Sequence, residues 1–299
     1  MKFFVTGVNG QLGYDVMREI LRRGYEGVGS DITPGYAGIK PFKEMEYCRC
    51  DITDSTALYK TLKAINPDVV VHCAAWTAVD AAEDETNREK VFSVNAIGTK
   101  NIAVCWKELD CKLIYISTDY VFNGEGEEPW AADCKEYAPL NVYGASKLQG
   151  ELEIAALLTK FFIVRISWVF GENGNNFVKT MLNVAKKYDT VRVVHDQIGT
   201  PTYTYDLAKL LLDMAITDRY GYYHASNAGG YISWCEFCCE IYRLAGCKTN
   251  IVPVTTAEYG LTKAKRPFNS RLDKSKLRQN SFQELPHWKD ALERYLKTL

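Results

Sequence analysis

Tyr143 and Lys147 form the most informative pair of chemically active side chains in the sequence. They lie four residues apart in PLNVYGASKLQGE (139–151), a segment with helical character, so both side chains would share one helix face. A nearby ammonium favours the phenolate and lowers the pKa of a tyrosine from about 10, which makes its hydroxyl a practicable proton donor and acceptor near neutral pH. Two surface residues on an amphipathic helix are the alternative interpretation of this pair alone.

Thr118 ends the apolar run KLIYIST (112–118) and offers a hydroxyl at the end of a predicted strand. Such a hydroxyl can hydrogen-bond a substrate oxygen that gains negative charge while a hydride is added to its carbon. An ordinary hydroxyl at a strand end is the alternative. Together with Tyr143 and Lys147, Thr118 predicts reduction of a carbonyl group, provided that the chain binds a hydride donor.

Three glycines near the start of the sequence predict a site for that donor. Gly7, Gly10 and Gly13 follow the strand-like KFFVTG (2–7), and residues 11–23 then have the pattern of a helix. One glycine allows the tight turn, one lets the backbone approach a pyrophosphate and one permits close packing, while the helix N-terminus offers N–H groups. We expect a dinucleotide to contact Gly7, Gly10, Gln11, Leu12 and Gly13. A merely flexible turn is the alternative.

Acidic residues at the ends of the next two strands refine the expected cofactor. The carboxylate of Asp31 would accept both hydroxyls of an adenosine ribose and repel a 2′-phosphate, and no arginine follows it closely, so these residues favour NADH. Asp51 would accept a hydrogen bond from the adenine amino group, and Ile52 would form an apolar wall beside the ring. The alternatives are a turn or cap residue at Asp31 and a helix N-cap at Asp51.

The elements that must position these residues alternate between strands and helices in the first half of the chain. Strands are predicted at 2–7, 27–31, 68–75, 112–118 and 161–168, and helices at 11–23, 56–65, 88–108 and from about 141. Continuous apolar strands are typical of a parallel sheet with helices on both faces. We therefore predict an α/β fold, a Rossmann-type doubly wound parallel sheet with a smaller mixed C-terminal substrate lobe. The dinucleotide-binding domain would span 1–168, with segments at about 191–220 interleaved, and the substrate-binding lobe mainly 169–299.

Composition excludes several other classes of protein. The chain has 299 residues, with 36 Lys and Arg against 37 Asp and Glu, and a formal net charge of -1. That balance lacks the basic excess needed for sequence-independent binding of nucleic acid, so small molecules are the expected partners. No window approaches about 18 uninterrupted apolar residues, and no signal-peptide core precedes the glycine turn. We expect neither a nucleic-acid nor a membrane partner, and a cytoplasmic location.

The ten cysteines and four histidines indicate neither a disulfide framework nor a strong metal site. Most cysteines are scattered, several within apolar elements where a reduced thiol packs as a small hydrophobic group. Cys235, Cys238 and Cys239 suggest zinc as a minority interpretation, since the chain has no second CxxC pair with ligand spacing. His72 lies in an apolar strand and is interpreted as a core histidine.

Longer segments resemble one family of carbonyl-reducing enzymes. The GxxGxxG turn, the YxxxK pair and Thr118 are similar to the extended short-chain dehydrogenase/reductases. Segments that resemble the dTDP-4-dehydrorhamnose reductases within that family are STDYVFNG (117–124), PLNVYGASKLQGE (139–151), RISWVFGENGNNFVKTML (165–182), DQIGTPTYTYDLA (196–208) and RPFNSRLDKSKL (266–277). The resemblance spans nearly the whole chain. It implies NADPH- or NADH-dependent reduction of the C4 ketone of dTDP-4-dehydro-L-rhamnose to dTDP-L-rhamnose, the last step of the pathway that feeds bacterial surface polysaccharides.

The same resemblance assigns roles to individual residues. It places the catalytic groups at Thr118, Tyr143, Lys147 and Asp119. Further cofactor contacts would come from Ala74, Ala75, Thr77 and Asn95 as well as Tyr143 and Lys147, and sugar-nucleotide contacts from Trp168, Asn175, Asn176 and Arg271 as well as Thr118 and Tyr143. An indole can stack on a sugar or base, and a guanidinium can grip a diphosphate. The alternatives are core packing for Trp168, a surface ion pair for Arg271 and an internal helix-capping amide for Asn95.

Related activities share this fold and cofactor. Nucleotide-sugar dehydratases, by the same resemblance, use a Thr-Asp-Glu trio in which the glutamate removes a carbon-bound proton. This chain has Tyr120 in the third place, which favours simple reduction. A nucleotide-sugar epimerase, a reductase of another dTDP-4-keto-6-deoxyhexose, and a non-catalytic subunit similar to the regulatory β subunit of methionine adenosyltransferase stay open. Mg²⁺ is associated with some relatives, but no convincing acidic cluster for it is visible, and both a homodimer and a monomer fit the sequence.

Overall fold

A seven-stranded sheet forms the centre of the molecule. The computed structural model describes residues 1–39, 44–109 and 111–299. The strands are β1 (Lys2–Thr6), β2 (Glu26–Asp31), β3 (Glu46–Arg49), β4 (Val69–His72), β5 (Lys112–Thr118), β6 (Phe161–Ile166), β7 (Val169–Phe170), β8 (Thr190–Val194), β9 (Ile198–Gly199), β10 (Thr202–Tyr203), β11 (Gly221–His224), β12 (Asn227–Ala228), β13 (Ile232–Ser233), β14 (Asn250–Val254) and β15 (Leu285–His287).

Helices connect these strands and cover both faces of the sheet. They are α1 (Gln11–Arg22), α2 (Ser55–Ile65), α3 (Val79–Ala82), α4 (Glu85–Phe92), α5 (Thr99–Leu109), α6 (Val142–Leu157), α7 (Phe177–Ala185), α8 (Thr204–Ala215), α9 (Trp234–Ala245), α10 (Thr256–Tyr259), α11 (Ser275–Gln279) and α12 (Trp288–Leu296). A π-helical turn, Ser93–Gly98, joins α4 to α5, where the sequence predicts one helix over 88–108. Among the described residues, no helix has the length and apolar character needed to cross a membrane.

The order of strands across the central sheet is β11-β6-β5-β4-β1-β2-β3, and every neighbouring pair is parallel. The chain moves outward from β1 in one direction as far as β3, then crosses to β4 and moves outward in the other direction. This reversal beside β1 is the switch point at which doubly wound sheets bind ligands, outside the carboxyl ends of their strands. The predicted Rossmann-type fold is confirmed.

Alternating side chains of the strands build a separate core on each face of the sheet. Phe3 and Val5 of β1 pack with α1 and α8, whereas Phe4 between them packs with α2 and α5. Each of these three side chains is fully buried. Burial on both faces explains why the strands are apolar without alternation.

A smaller lobe has its own core, to which α7, α9 and α12 contribute. Its parallel pair joins β8 to β14, while the chain returns to the central sheet later, when α8 packs on α1 and β11 pairs with β6. The sequence predicts that a region at about 191–220 belongs to the dinucleotide-binding domain. Strand β8 lies in this region but pairs with β14 of the small lobe. The segment that returns to the central sheet runs from α8 to β11. The division into domains at residue 168 stays a prediction.

Candidate active site

The glycine turn brings β1 and the loop after β4 into close contact. Gly7 has a φ of +70°, and a Cβ at this position would lie 2.6 Å from the backbone nitrogen of Ala74. At Gly13 a Cβ would lie 2.3 Å from the carbonyl oxygen of Gly7, so side chains are excluded at both positions. Gly10 precedes α1 without a capping side chain. The first amides of α1 therefore have no side-chain cap and suit an anionic group such as a pyrophosphate.

A groove of about 610 Å³ runs along the carboxyl ends of the central strands. Its walls include many residues that the sequence predicts for the cofactor: Gly7, Gly10, Gln11, Leu12, Gly13, Asp31, Asp51, Ile52, Ala74, Ala75, Thr77, Tyr143 and Lys147. Thr118, Asp119 and Trp168 line the same groove. The fold thus collects residues from the ends of several strands into one site, which includes both the glycine turn and Tyr143.

The two aspartates at the strand ends have different surroundings. Asp31 accepts hydrogen bonds from the backbone N–H groups of Asn9, at 3.1 Å, and Ile32, at 2.8 Å. Asp51 accepts from the backbone N–H of Thr53, at 2.9 Å, and from its hydroxyl, at 2.8 Å. The N-cap of α2 is Asp54. The position of Asp51 is therefore that of a turn residue on the groove wall and not of a helix cap.

Asn95 lies behind the groove, in the π-helical turn, and does not line it. Its buried amide clasps the backbone of Trp76, accepting from the N–H at 2.8 Å and donating to the carbonyl oxygen at 3.1 Å. It also donates to the hydroxyl of Ser146 on α6, at 2.9 Å. Asn95 therefore fixes the loop that contains Ala74, Ala75 and Thr77 against the helix that carries Tyr143 and Lys147, which is a positioning role.

Thr118 is joined to its neighbours at the end of β5. Its hydroxyl donates to Asp119 Oδ1 at 3.0 Å and accepts from the backbone N–H of Tyr120 at 3.2 Å. Asn141 caps α6 by accepting from the N–H of Gly144, which fixes the turn of helix that presents Tyr143. The side chain of Lys147, one turn later, donates to the carbonyl oxygen of Ile116 at 2.7 Å. Strand β5 and helix α6 therefore hold all of these polar groups at one end of the groove.

Burial dominates the proton affinities at this end of the groove. It raises the pKa of Tyr143 well above its usual value, although the Thr118 hydroxyl opposes the rise. It lowers the pKa of Lys147 to about 7, against the attraction of Glu151, and raises that of Asp119 to about 6. In the protein alone, burial therefore shifts the pKa of Tyr143 in the direction opposite to the one expected from Lys147, and the lowering by a charged Lys147 stays a prediction. Tyr143 is held as a protonated phenol, the form that donates a proton.

Three buried side-chain oxygens make no hydrogen bond of ordinary geometry among the described residues: Ser30 Oγ, Ser117 Oγ and Asp119 Oδ2. All three belong to residues that line the groove. Buried polar atoms without partners are rare, and here Ser30 lies beside the glycine turn while Ser117 and Asp119 lie at the end of β5, at the other end of the groove. The residues present therefore fit a polar dinucleotide.

Trp168 forms the far wall of the groove together with Trp234, the first residue of α9. Their rings stack with centroids 3.8 Å apart, and Trp168 has an unusual positive φ of 50°. Sequence reasoning missed Trp234. A capping box of Ser233 and Glu236 marks the start of its helix, but no spacing relates it to Trp168. The stacking depends on how α9 packs against the chain that follows β6, which patterns within one segment do not reveal.

The remaining predicted substrate residues do not line the groove. Asn176 caps α7, and its amide donates to Gly171, Gln11 and Tyr295, so its side chain has a structural role in this arrangement. Asn175 is exposed. Arg271 donates to Asn269 Oδ1 at 3.1 Å. A direct contact of these three with substrate stays a prediction.

The histidines and cysteines have structural surroundings. His72 is buried, contacts the hydroxyls of Thr6 and Thr99, and has its pKa lowered to about 3 by burial. Cys235 and Cys238 are buried free thiols, and Cys239 is an exposed one. Over the described ranges, no three or more His, Cys, Asp or Glu side chains are grouped so as to hold a metal ion.

Comparisons with known proteins agree with this geometry. The family described as RmlD substrate binding domain matches residues 1–299. The chain is 38% identical to a spore coat polysaccharide biosynthesis protein, SpsK, of Bacillus subtilis (99% of this chain, 97% of the relative) and 36% identical to a dTDP-4-dehydrorhamnose reductase of Shigella flexneri (100% and 98%). It is also similar to the crystal structure of a dTDP-4-dehydrorhamnose reductase of Bacillus anthracis in complex with NADP, with a TM-score of 0.90, 39% identity and coverage of 100% and 99%.

Proposed function

The chain belongs to the RmlD substrate-binding-domain family, and on that premise we propose that it reduces the C4 ketone of dTDP-4-dehydro-L-rhamnose to dTDP-L-rhamnose, with NADPH or NADH as reductant. One observation carries the proposal. Thr118, Tyr143 and Lys147 lie at one end of a groove whose other end is the glycine turn, and the chain covers 98–99% of the length of related dTDP-4-dehydrorhamnose reductases. The reaction would complete dTDP-rhamnose synthesis.

Reduction needs a hydride, which a bound reduced nicotinamide would supply, and a proton, which residues of this chain would supply. Tyr143 would donate the proton to the C4 oxygen, since a tyrosine hydroxyl is protonated at neutral pH; burial raises its pKa and so makes it a weaker acid in the protein alone. The Thr118 hydroxyl has one proton, which it donates to Asp119. A substrate oxygen that gains charge competes with Asp119 for this proton, so Thr118 would stabilise the developing alkoxide.

Lys147 would act beside the reacting atoms, through the coenzyme ribose and Tyr143. Its Nζ is held by the Ile116 carbonyl oxygen and lies 4.0 Å from the ring centre of Tyr115. With a pKa of about 7, the side chain carries its charge in only part of the molecules at neutral pH. Ribose hydroxyls of the coenzyme would give the ammonium further acceptors and favour its charged form, which would then help Tyr143 release its proton.

Tyr120 favours reduction over elimination. It occupies the place at which the related dehydratases carry a glutamate, and its ring lies edge-on to Tyr143, with centroids 5.7 Å apart. Burial raises the pKa of Tyr120, so this side chain offers no anionic base near neutral pH. An enzyme that removes a carbon-bound proton needs such a base.

The proposed reaction is tested by following NADPH and NADH oxidation with dTDP-4-dehydro-L-rhamnose made in situ by the preceding dehydratase and epimerase. We expect oxidation that depends on the epimerase, with dTDP-L-rhamnose as product. Binding of either coenzyme without oxidation would contradict the proposal and favour another keto-sugar or a regulatory subunit.

The same preparation tests the assembly state, monomer or homodimer, by sedimentation with and without a chelator. A cytoplasmic location is tested by cell fractionation.

A further inference from the structure

Arg49 lies beside the rim of the groove at the end of β3, an edge strand of the central sheet. In the parallel pairing of β2 with β3 it is opposite Asp31. Its exposed side chain turns towards the chain that leaves β2, and Nε donates to the carbonyl oxygen of Ile32 at 3.0 Å. Asp31, Ile32 and Cys50 all line the groove, so residues on each side of this guanidinium belong to its wall.

The hydrogen bond to Ile32 fixes one edge of the guanidinium. Among the residues that the structure describes, the side chain of Arg49 makes no ion pair and no second hydrogen bond. Its two terminal nitrogens therefore have donors to offer a ligand at this rim. An arginine fork binds the oxygens of a phosphate through two parallel hydrogen bonds, and a side chain already held at Nε loses little freedom on binding.

The surroundings of Asp31 weaken the argument for NADH that the sequence alone supports. Its two carboxylate oxygens accept the N–H groups of Asn9 and Ile32, and these dipoles offset part of the negative charge. No arginine follows Asp31 in the sequence, but the neighbouring strand supplies one. Asp31 would repel a phosphate on the adenosine ribose, and Arg49 at the end of the neighbouring strand would counter this repulsion.

We propose that Arg49 binds the 2′-phosphate of NADPH and sets the coenzyme preference of this chain towards NADPH. The inference rests on the proposed function only in taking the groove as the coenzyme site. The expectation of NADH is drawn from Asp31 at the end of β2 alone, whereas this proposal also includes Arg49 at the end of β3. Arg49 would act in binding alone, because its position at the adenosine end leaves it remote from Thr118 and Tyr143 along the groove.

The test compares Arg49→Met with the unaltered chain by calorimetric titration of 2′,5′-ADP, 5′-ADP, NADPH and NADH. Loss of a charge-assisted interaction should weaken binding of the two 2′-phosphorylated ligands by about 10- to 100-fold and leave the other two within about twofold. Arg192→Met is the matched control, since Arg192 is also exposed and donates to a carbonyl oxygen, that of Glu258, in the small lobe. Unchanged binding of 2′,5′-ADP, or an equal loss for all four ligands, would overturn the proposal.

A kinetic measurement separates this role from a structural one. In Arg49→Met, KM for NADPH should rise while kcat with either coenzyme and KM for NADH stay unchanged, and Arg49→Lys should restore part of the preference. A fall in kcat with NADH would contradict the assignment. Because the titrations need no sugar nucleotide, they give their result even if the chain reduces a different substrate or none.

Discussion

At the scale of single residues, burial sets the protonation of the groups around Thr118. Tyr143 is kept protonated and Lys147 is brought to a pKa of about 7, although one lies only a helical turn from the other. The residue types and their spacing could be read from the sequence. Their proton affinities could not, because these depend on how much water the folded groove excludes.

Replacement of Tyr143 by phenylalanine should lower kcat/KM for the keto-sugar by about 10²- to 10⁴-fold, because the proton donor is lost while the ring is kept. Coenzyme affinity, measured by titration, should change by less than about twofold. The control is Tyr188→Phe, whose ring is exposed on the small lobe. Turnover within about tenfold of the unaltered chain would remove Tyr143 from the mechanism.

Lys147 should make stability depend on pH. Its pKa is lower in the folded chain than in the unfolded chain, where it is near 10.4, so between about pH 7 and pH 10 the unfolded state binds more protons. The free energy of unfolding contributed by this group therefore rises with pH, by at most about 1.4 kcal/mol per unit. Urea unfolding of the unaltered chain and Lys147→Met at pH 7, 8 and 9 measures this rise as the difference between the two chains. Parallel curves would contradict it.

At the scale of elements, the catalytic helix α6 is anchored by a buried ion pair. Arg165 on β6 donates to both carboxylate oxygens of Glu151, at 2.9 and 2.7 Å, and both side chains are fully buried. The guanidinium also reaches the carbonyl oxygen of Ala132 and the hydroxyl of Tyr137. Helix α6 is thereby tied to the next strand and to the loop that precedes the helix.

Removing one partner of this pair should destabilise the fold strongly. Arg165→Met leaves the Glu151 carboxylate buried without its partner, and we expect a loss of about 3–5 kcal/mol in the free energy of unfolding. The double variant with Glu151→Leu should lose less than the single variant. Lys297→Met is the control, because its pair with Glu293 is exposed and should contribute less than about 1 kcal/mol. Additive losses in the urea cycle would contradict a coupled buried pair.

The contrast between local and distant contacts explains what the sequence could predict. The turn at Gly7, strand β5 and the start of α6 at Asn141 follow from patterns within one segment, and all three were predicted. Three features depend on which elements meet in space, and patterns within segments did not reveal them: Arg49 beside Ile32, Trp234 on Trp168, and β8 paired with β14. The π-helical turn around Asn95 was likewise missed, since its residues also suit an ordinary helix.

At the scale of the whole molecule, the segment 263–266 connects the later part of the chain to the helices beside the groove. Arg266 pairs with Asp80 at 2.6 Å, and the N–H groups of Lys263 and Ala264 donate to the same carboxylate. Asn141, the N-cap of α6, donates to the carbonyl oxygen of Lys265 at 2.8 Å. One acidic side chain on α3 thus holds a strap against the elements that carry Tyr143.

Asp80→Asn should loosen this strap. The backbone N–H groups of Lys263 and Ala264 would lose a charged acceptor, so their hydrogen exchange should accelerate by about tenfold or more, while exchange in the central strands stays unchanged. Mass spectrometry of the peptide that spans 262–268 measures the effect. Asp290→Asn, which breaks an exposed pair with Arg294, serves as control. Equal exchange in the two variants would show that the strap is held by other contacts.

The late return of the chain to the central sheet has a consequence for its synthesis on the ribosome. Six of the seven strands precede residue 167, but α1 lacks its cover until α8 has left the exit tunnel, and β6 remains an edge strand until β11 follows. Uncovered edges and apolar faces invite pairing between chains. The nascent polypeptide therefore passes through an interval of aggregation risk while residues 167–224 are being made, and a chaperone would be of most use during that interval.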